Sequence, residues 1–335
     1  DIHRLIRRQR QMCIRDRSAT LRRRQPGRPE GFSWGGRAGE YLDLSFGERR
    51  VTRYMYAHDT SSEQRTFETY KPFLHVFDEK GEHLLTNGPD GLNPYPPDKI
   101  TYPHHRGIFI GWRKLTVDGK QYDLWHMKKA HQVHQRFEEQ LAGPVLAVST
   151  AVINWNNDQG EPVLEEHRRT TVYRQSDPTI LLLDFETELK ALDKDVYLDG
   201  DPEHAGMQYR AHNDVATGPK EVKAEYLFHA DGIDPTKDRD LPWVTMSYGL
   251  NSKRYTVEYM NHPYNPKGTI YSAYRDYGRF GAFFKRNIPA GQSLKLRYRI
   301  WIRKGRMLDR KSSQAAYSVF TKAPKAQIVS SWGRP

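Results

Sequence analysis

The chain has 335 residues, of which 37% are hydrophobic and 12% aromatic, and its mean hydropathy is −0.85. That length can bury a large core in one domain or two. No run approaches the roughly 20 apolar residues of a spanning helix, so no membrane partner is expected. The formal charge of +12 is uneven: residues 1–30 hold ten Arg, no Lys and three acids (Asp1, Asp16, Glu30), whereas the rest carries 43 basic and 38 acidic groups. Such a well-mixed body, without a Lys/Arg stripe or a nucleic-acid motif, argues against a nucleic-acid partner.

Met12-Cys13-Ile14-Arg15-Asp16-Arg17 reads as the translation of a transposase adapter used in DNA library preparation. Residues 1 to about 25 are therefore expected to be an assembly artefact, the other reading being a genuine basic tail, disordered or nucleic-acid binding. Residues 1–30 are set apart from the fold on that ground. The single cysteine, Cys13, falls inside the segment, so the body has no thiol chemistry and no disulfide. That leaves the compartment open. A leader on the native N-terminus would place the protein in the periplasm or outside the cell.

From residue 31 the punctuation is that of β-hairpins. Tyr41–Phe46 alternates and ends at Gly47-Glu48, and Phe73–Phe77 runs into Asp78-Glu79-Lys80-Gly81. A strand from about Arg106 to Val117 meets Asp118-Gly119, a strong two-residue turn. Strands are expected at 145–155, 163–173, 179–189, 222–229, 243–248, 255–261, 281–285 and 293–302, with one short helix near 314–320. Strands at this spacing without intervening helices predict an all-β fold, a large antiparallel β-sandwich over 31–310, followed by a C-terminal tail at 311–335.

Five of the fourteen histidines lie between 104 and 134. Imidazole is the side chain best suited to move protons or bind metal near neutral pH. Pro103 biases Tyr102 toward an extended conformation, and an extended His104-His105 would point its rings to opposite sides. Gly107 and Gly111 leave room for a ligand or for another backbone. Trp125 and His126 follow: the indole either stacks on a sugar ring or fills the core. Gln132, His134 and Arg136 share one polar face of a strand, either solvated or lining a cleft. His204, Gly206, Gln208, Arg210 and His212 also share parity, and an Arg in such a row can fork onto a carboxylate. His262-Pro263-Tyr264-Asn265-Pro266 is a stiff loop that aims His262 and Asn265. Glu165 or Glu166 could belong to a carboxylate pair, although no partner is legible. No covalent-nucleophile motif, P-loop or dinucleotide fingerprint is present.

Taken together, Pro103-His104-His105-Arg106-Gly107, Asp123-Leu124-Trp125-His126, Val133-His134-Gln135, Glu203-His204-Ala205-Gly206 through Arg210, and His262-Pro263-Tyr264-Asn265-Pro266 resemble the soluble bacterial proteins labelled "methane oxygenase PmoA". The resemblance runs from roughly residue 40 to 305. Its members occur beside sugar oxidoreductase and polysaccharide-degrading genes, which implies a carbohydrate role. The membrane subunit of that name has spanning helices, so methane oxidation is not implied here. Pro289-Ala290-Gly291-Gln292-Ser293 and the strand after it are similar to the close of galactose-mutarotase-like super-sandwiches, which implies that form of the fold.

The leading expectation is a carbohydrate-active enzyme, a lyase or hydrolase working on a glycoside or oxidised sugar, so that the partner is an oligosaccharide or sugar-derived small molecule. His104 or His105, together with His134, would transfer protons, and Arg106 and Arg210 would hold a carboxylate or an enolate-like oxygen. Trp125, His126, His204, Gln208, His212, His262 and Asn265 would bind the substrate. A glycan-binding protein without turnover is the second reading. A protein that holds a divalent metal through His104, His134, His204 or His262 is the third.

Overall fold

A computed structural model describes residues 30–322. The adapter-like segment lies outside those residues. Two antiparallel sheets, one of eleven strands and one of eight, stack face to face. The first runs in the order Phe32–Arg37, Tyr41–Phe46, Arg49–Met55, Phe73–Val76, Ile108–Val117, Ala205–Arg210, Arg279–Phe283, Ile270–Tyr271, with shorter strands beside it. The second runs Glu225–Phe228, Trp243–Leu250, Lys253–Asn261, Ser293–Lys304, Thr179–Ala191, Pro162–Tyr173, Leu146–Asn156, Gln132–Ala142.

Alternation along each strand explains the stacking. Ile108, Ile110 and Trp112 point into the main core with Ile153, Trp155, Leu183, Phe185 and Ile300 of the second sheet. Their neighbour Phe109 points the other way, into a small separate cluster with Met55, Phe73 and Trp125. The first sheet is thus apolar on both faces at its centre, and loops must cover its outer face. Ile108–Val117 pairs with Ala205–Arg210, Gly111 opposite Gly206. A Cβ on Gly206 would sit 1.8 Å from the Ala282 carbonyl oxygen, and one on Gly111 would sit 2.4 Å from that of Leu124. The room left by Gly111 is taken by backbone, not ligand.

Three local expectations shift in the structure. The strand expected at 222–229 starts only at Glu225, because Lys220–Val222 winds into a 3-10 turn after Pro219. The strand expected at 281–285 runs Arg279–Phe283. A register shift between His134 and Arg136 breaks the polar alternation of Gln132–Ala142. A seven-residue helix, Glu63–Thr69, capped by Ser62, was not anticipated.

The C-terminal helix, Arg310–Thr321, docks on the outer face of the second sheet. Asp309 caps it, accepting from the Ser312 backbone N–H at 2.7 Å. Phe320 packs with Trp243 and Met260. Beneath it the Ser313 hydroxyl donates to Glu258 Oε2 at 2.9 Å, while Glu258 Oε1 is buried without a partner. Burial raises the Glu258 carboxyl to about 7. Its contribution to stability is full below the ordinary carboxylate range and is lost as pH climbs from about 4.5 to about 7, a difference of up to about 3 kcal/mol. Glu258→Gln is expected to remove that loss. Urea melts of both proteins at pH 5 and pH 8 check it: equal wild-type and variant pH dependence would refute the reading.

Candidate functional site

Three turns meet over the outer face of the first sheet, each adjoining one of its strands. The first precedes Ile108–Val117. The His105 backbone N–H donates to the Tyr102 carbonyl at 3.0 Å and Tyr102 has φ 54°, so this segment turns instead of extending. The rings of His104 and His105 therefore lie side by side, centroids 4.2 Å apart, and not on opposite faces.

The second turn follows Lys120–Leu124. Asp123 Oδ1 accepts the backbone N–H groups of Trp125 and His126 at 3.1 and 2.9 Å, and its Oδ2 accepts from His126 Nδ1 at 2.9 Å. The third precedes Ala205–Arg210 and repeats the device. Asp201 Oδ1 accepts the Glu203 N–H at 3.0 Å and His204 Nδ1 at 2.9 Å. Each Asp-x-x-His step thus bends the chain and orients its own imidazole. With Nδ1 donating to a carboxylate, the neutral ring keeps its lone pair on Nε2.

The rings converge. Centroids lie 4.5 Å apart for His104 and His126, 5.1 Å for His126 and His204, and 5.8 Å for His104 and His204. Ligand nitrogens of these three all fall within 4.8 Å of one another. His105 lies 5.7 Å from His204. His126 and His204 keep 22% and 24% of their side-chain surface, so the cluster opens to solvent. His104 Nε2 and His105 Nδ1 are buried without a hydrogen-bond partner.

Cations crowd the floor. Lys71 Nζ donates to the carbonyls of His104 and Trp125, both at 2.8 Å, and lies 3.7 Å from the Phe109 ring centroid. Burial drives its ammonium well below the usual lysine range, with Arg106 adding to the effect. Burial, then the neighbouring His126, push His104 down to about 2. Burial, then the Arg279 guanidinium, hold His105 well below the ordinary imidazole value. Asp123 and Asp201 are raised by burial but lowered further by their histidines, and both end below the usual carboxylate value. Arg279 Nη1 donates to Gln208 Oε1 at 2.8 Å and Ser272 Oγ at 2.9 Å, and its Nη2 is buried without a hydrogen bond, 3.7 Å from Glu203 Oε2.

Of the residues singled out from sequence, His104, His105, His126 and His204 come together here, with Trp125 behind them. Trp125 is fully buried, 5.6 Å from the His105 ring, so its face is not offered to a sugar. Arg106 gives its guanidinium to the carbonyls of Pro103, Glu68 and Phe67 and stacks 4.1 Å from the Tyr70 ring. Arg210 bonds the carbonyls of Tyr277 and Thr101. Both arginines are fully buried and pin loops, which leaves neither free to grip a carboxylate. Gln208 is likewise spent on the Ala205 carbonyl and Arg279.

The others lie elsewhere. His134 packs against Tyr54, Tyr56 and Phe137 at the start of its strand. His212 caps the short helix Asn213–Thr217. His262 packs on Phe320, and Asn265 ties its loop to Asn261 and Arg297. Glu166 is locked to Arg168 inside the sandwich, and Glu165 faces His167 on the outside. Sequence reasoning missed Lys71, Asp201 and Arg279 and gave Asp123 no role. The repeated Asp-x-x-His at 123–126 and 201–204 was the one available signal.

The fold and site define a two-sheet β-sandwich with a histidine cluster on its outer face. Residues 41–318 match the model of a family of unknown function, DUF6807, and the chain belongs to that family. No curated protein matches it. Among solved structures it is similar to a heparan sulfate lyase HepC mutant from Pedobacter heparinus, with TM-score 0.39 and 10% identity, over 81% of this chain and 36% of that one. The chain thus spans about a third of that structure's length, and a likeness at this level carries no argument about chemistry.

Proposed function

We propose that the histidine cluster is the active site of a carbohydrate-active enzyme, of lyase or hydrolase type, that works on a glycoside or oxidised sugar. One observation carries the reading: four imidazoles from three distant turns meet in one solvent-open cluster, two of them oriented by their own aspartates. Such an arrangement presents lone pairs to one point, where they can accept hydrogen bonds from substrate hydroxyls, while a separate imidazole moves a proton. His105 takes that second role. The resemblance to the PmoA-labelled proteins adds support for a sugar.

The burial of Trp125 counts against a lectin-like stacking platform, so turnover is favoured over binding alone. The test is a screen of uronic-acid-containing and aldonate-ended oligosaccharides, read for new reducing ends or unsaturated products. Turnover that is lost in His204→Ala, with the fold retained by circular dichroism, is the expected result. Sugar binding without any product, unchanged in His204→Ala, would refute the proposal.

A further inference from the structure

Lone pairs converging on one point need something to fill it. A buried polar atom without a partner costs about 1–3 kcal/mol, and in a native protein it calls for an occupant such as water or an ion. His104 Nε2 is such an atom. Around it stand His126 and His204, whose Nδ1 atoms are already given to Asp123 and Asp201 at 2.9 Å. A carboxylate behind a histidine, with Nε2 turned inward, is the arrangement that holds metal-binding imidazoles in the right tautomer and raises their basicity. The same device is built twice, on two turns about 80 residues apart in sequence, and both aim at one place.

We infer that His104, His126 and His204 bind one divalent transition-metal ion of the zinc class, with Asp123 and Asp201 fixing the rings of His126 and His204. The inference deepens the active-site reading above and rests on the same cluster. Three neutral nitrogens with no carboxylate in the set suit zinc, copper, iron or nickel and disfavour calcium or magnesium, which take oxygens. Three protein ligands leave a fourth position open, as in catalytic zinc sites. His126 and His204 keep 22% and 24% of their side-chain surface, which gives an ion and a substrate access from solvent. Tetrahedral coordination at about 2.0–2.1 Å puts nitrogens ~3.3 Å apart, so the rings, now within 4.8 Å, close inward on the ion. Lys71 does not compete, because its Nζ is held by the carbonyls of His104 and Trp125 and thereby ties two of the ligand-bearing turns together.

The test uses the full chain, stripped with chelator and dialysed. Co²⁺ is titrated in and followed by visible absorption, and Zn²⁺ retained after dialysis is measured by elemental analysis. One equivalent per chain is expected, with a tetrahedral Co²⁺ spectrum. His126→Ala and His204→Ala should lose stoichiometric binding. Asp123→Asn and Asp201→Asn leave all three ligands in place and should weaken it about 10–100-fold. His134→Ala, outside the cluster, should bind as wild type. Absence of stoichiometric Co²⁺ or Zn²⁺ in the wild type, or undiminished binding in folded His126→Ala and His204→Ala, would overturn the inference. Metal bound without turnover of any sugar would sink the enzyme reading alone, and turnover by a protein that takes up no stoichiometric Co²⁺ or Zn²⁺ would sink the metal alone.

Discussion

Asparagine or alanine in place of His105 is expected to lower kcat by about 10²–10⁴-fold on the substrate found by the screen, the usual contribution of a positioned proton-transfer group. His105 is 1% exposed, its Nδ1 has no partner, and its ring lies beside those of His104 and His204. It is not among the three whose nitrogens share a point. Its removal should therefore cost rate while leaving Co²⁺ stoichiometry intact. Asparagine keeps a polar group near the Nδ1 position but cannot carry a proton through the cycle. Steady-state kinetics on both variants, with melting curves beside them, checks the assignment. Wild-type kcat in His105→Asn would remove His105 from the chemistry.

The second large effect concerns the fold. Arg168→Met is expected to destabilise the protein by about 3–5 kcal/mol, the typical result of stranding a buried charge. Glu166 is fully buried and takes two bonds of 2.8 Å from the Arg168 guanidinium, one from Trp155 Nε1 and one from Thr187 Oγ1, both also 2.8 Å. Arg168 reaches on to the Pro72 carbonyl at 3.3 Å, so the pair links the second sheet to the segment leading into the Phe73–Val76 strand of the first. Methionine matches much of the arginine volume but leaves the carboxylate without its counter-charge. For a domain of this size the loss corresponds to a drop of about 5–8 °C in Tm. Adding Glu166→Gln should recover part of it, because a neutral amide is cheaper to bury. A thermal melt of the single variant within about 2 °C of wild type would show that the pair does not hold the sheets together.

The architecture was written locally and could be read. Period-two alternation in segments such as Thr179–Ala191 and Ser293–Lys304 specifies which side chains face inward, and turn residues such as Asp118-Gly119 specify where strands reverse. The helix at Arg310–Thr321 was legible too, but not its role: docking on the second sheet buries Glu258 and Phe320, and neither fact follows from helical period.

The site was half legible. Composition pointed to His104, His105, His126 and His204, because imidazoles beside glycine and tryptophan are unusual in a strand-rich chain. It pointed equally to His134, His212 and His262, which the fold assigns to an aromatic contact, a helix cap and a packed loop. Arg106 and Arg210 had the chemistry to bind a carboxylate, yet burial commits both to backbone carbonyls.

By itself, then, the amino-acid order determined the strands, their facing and the bending of each Asp-x-x-His turn, since those follow from hydrogen bonds within a few residues. Only the tertiary structure decided that residue 111 pairs with residue 206, and hence that turns at 101–105, 123–126 and 201–204 share one face of a sheet. Strand neighbours far apart in the chain are chosen by how the whole hydrophobic surface is buried, a property of all the strands at once that no short stretch of sequence carries.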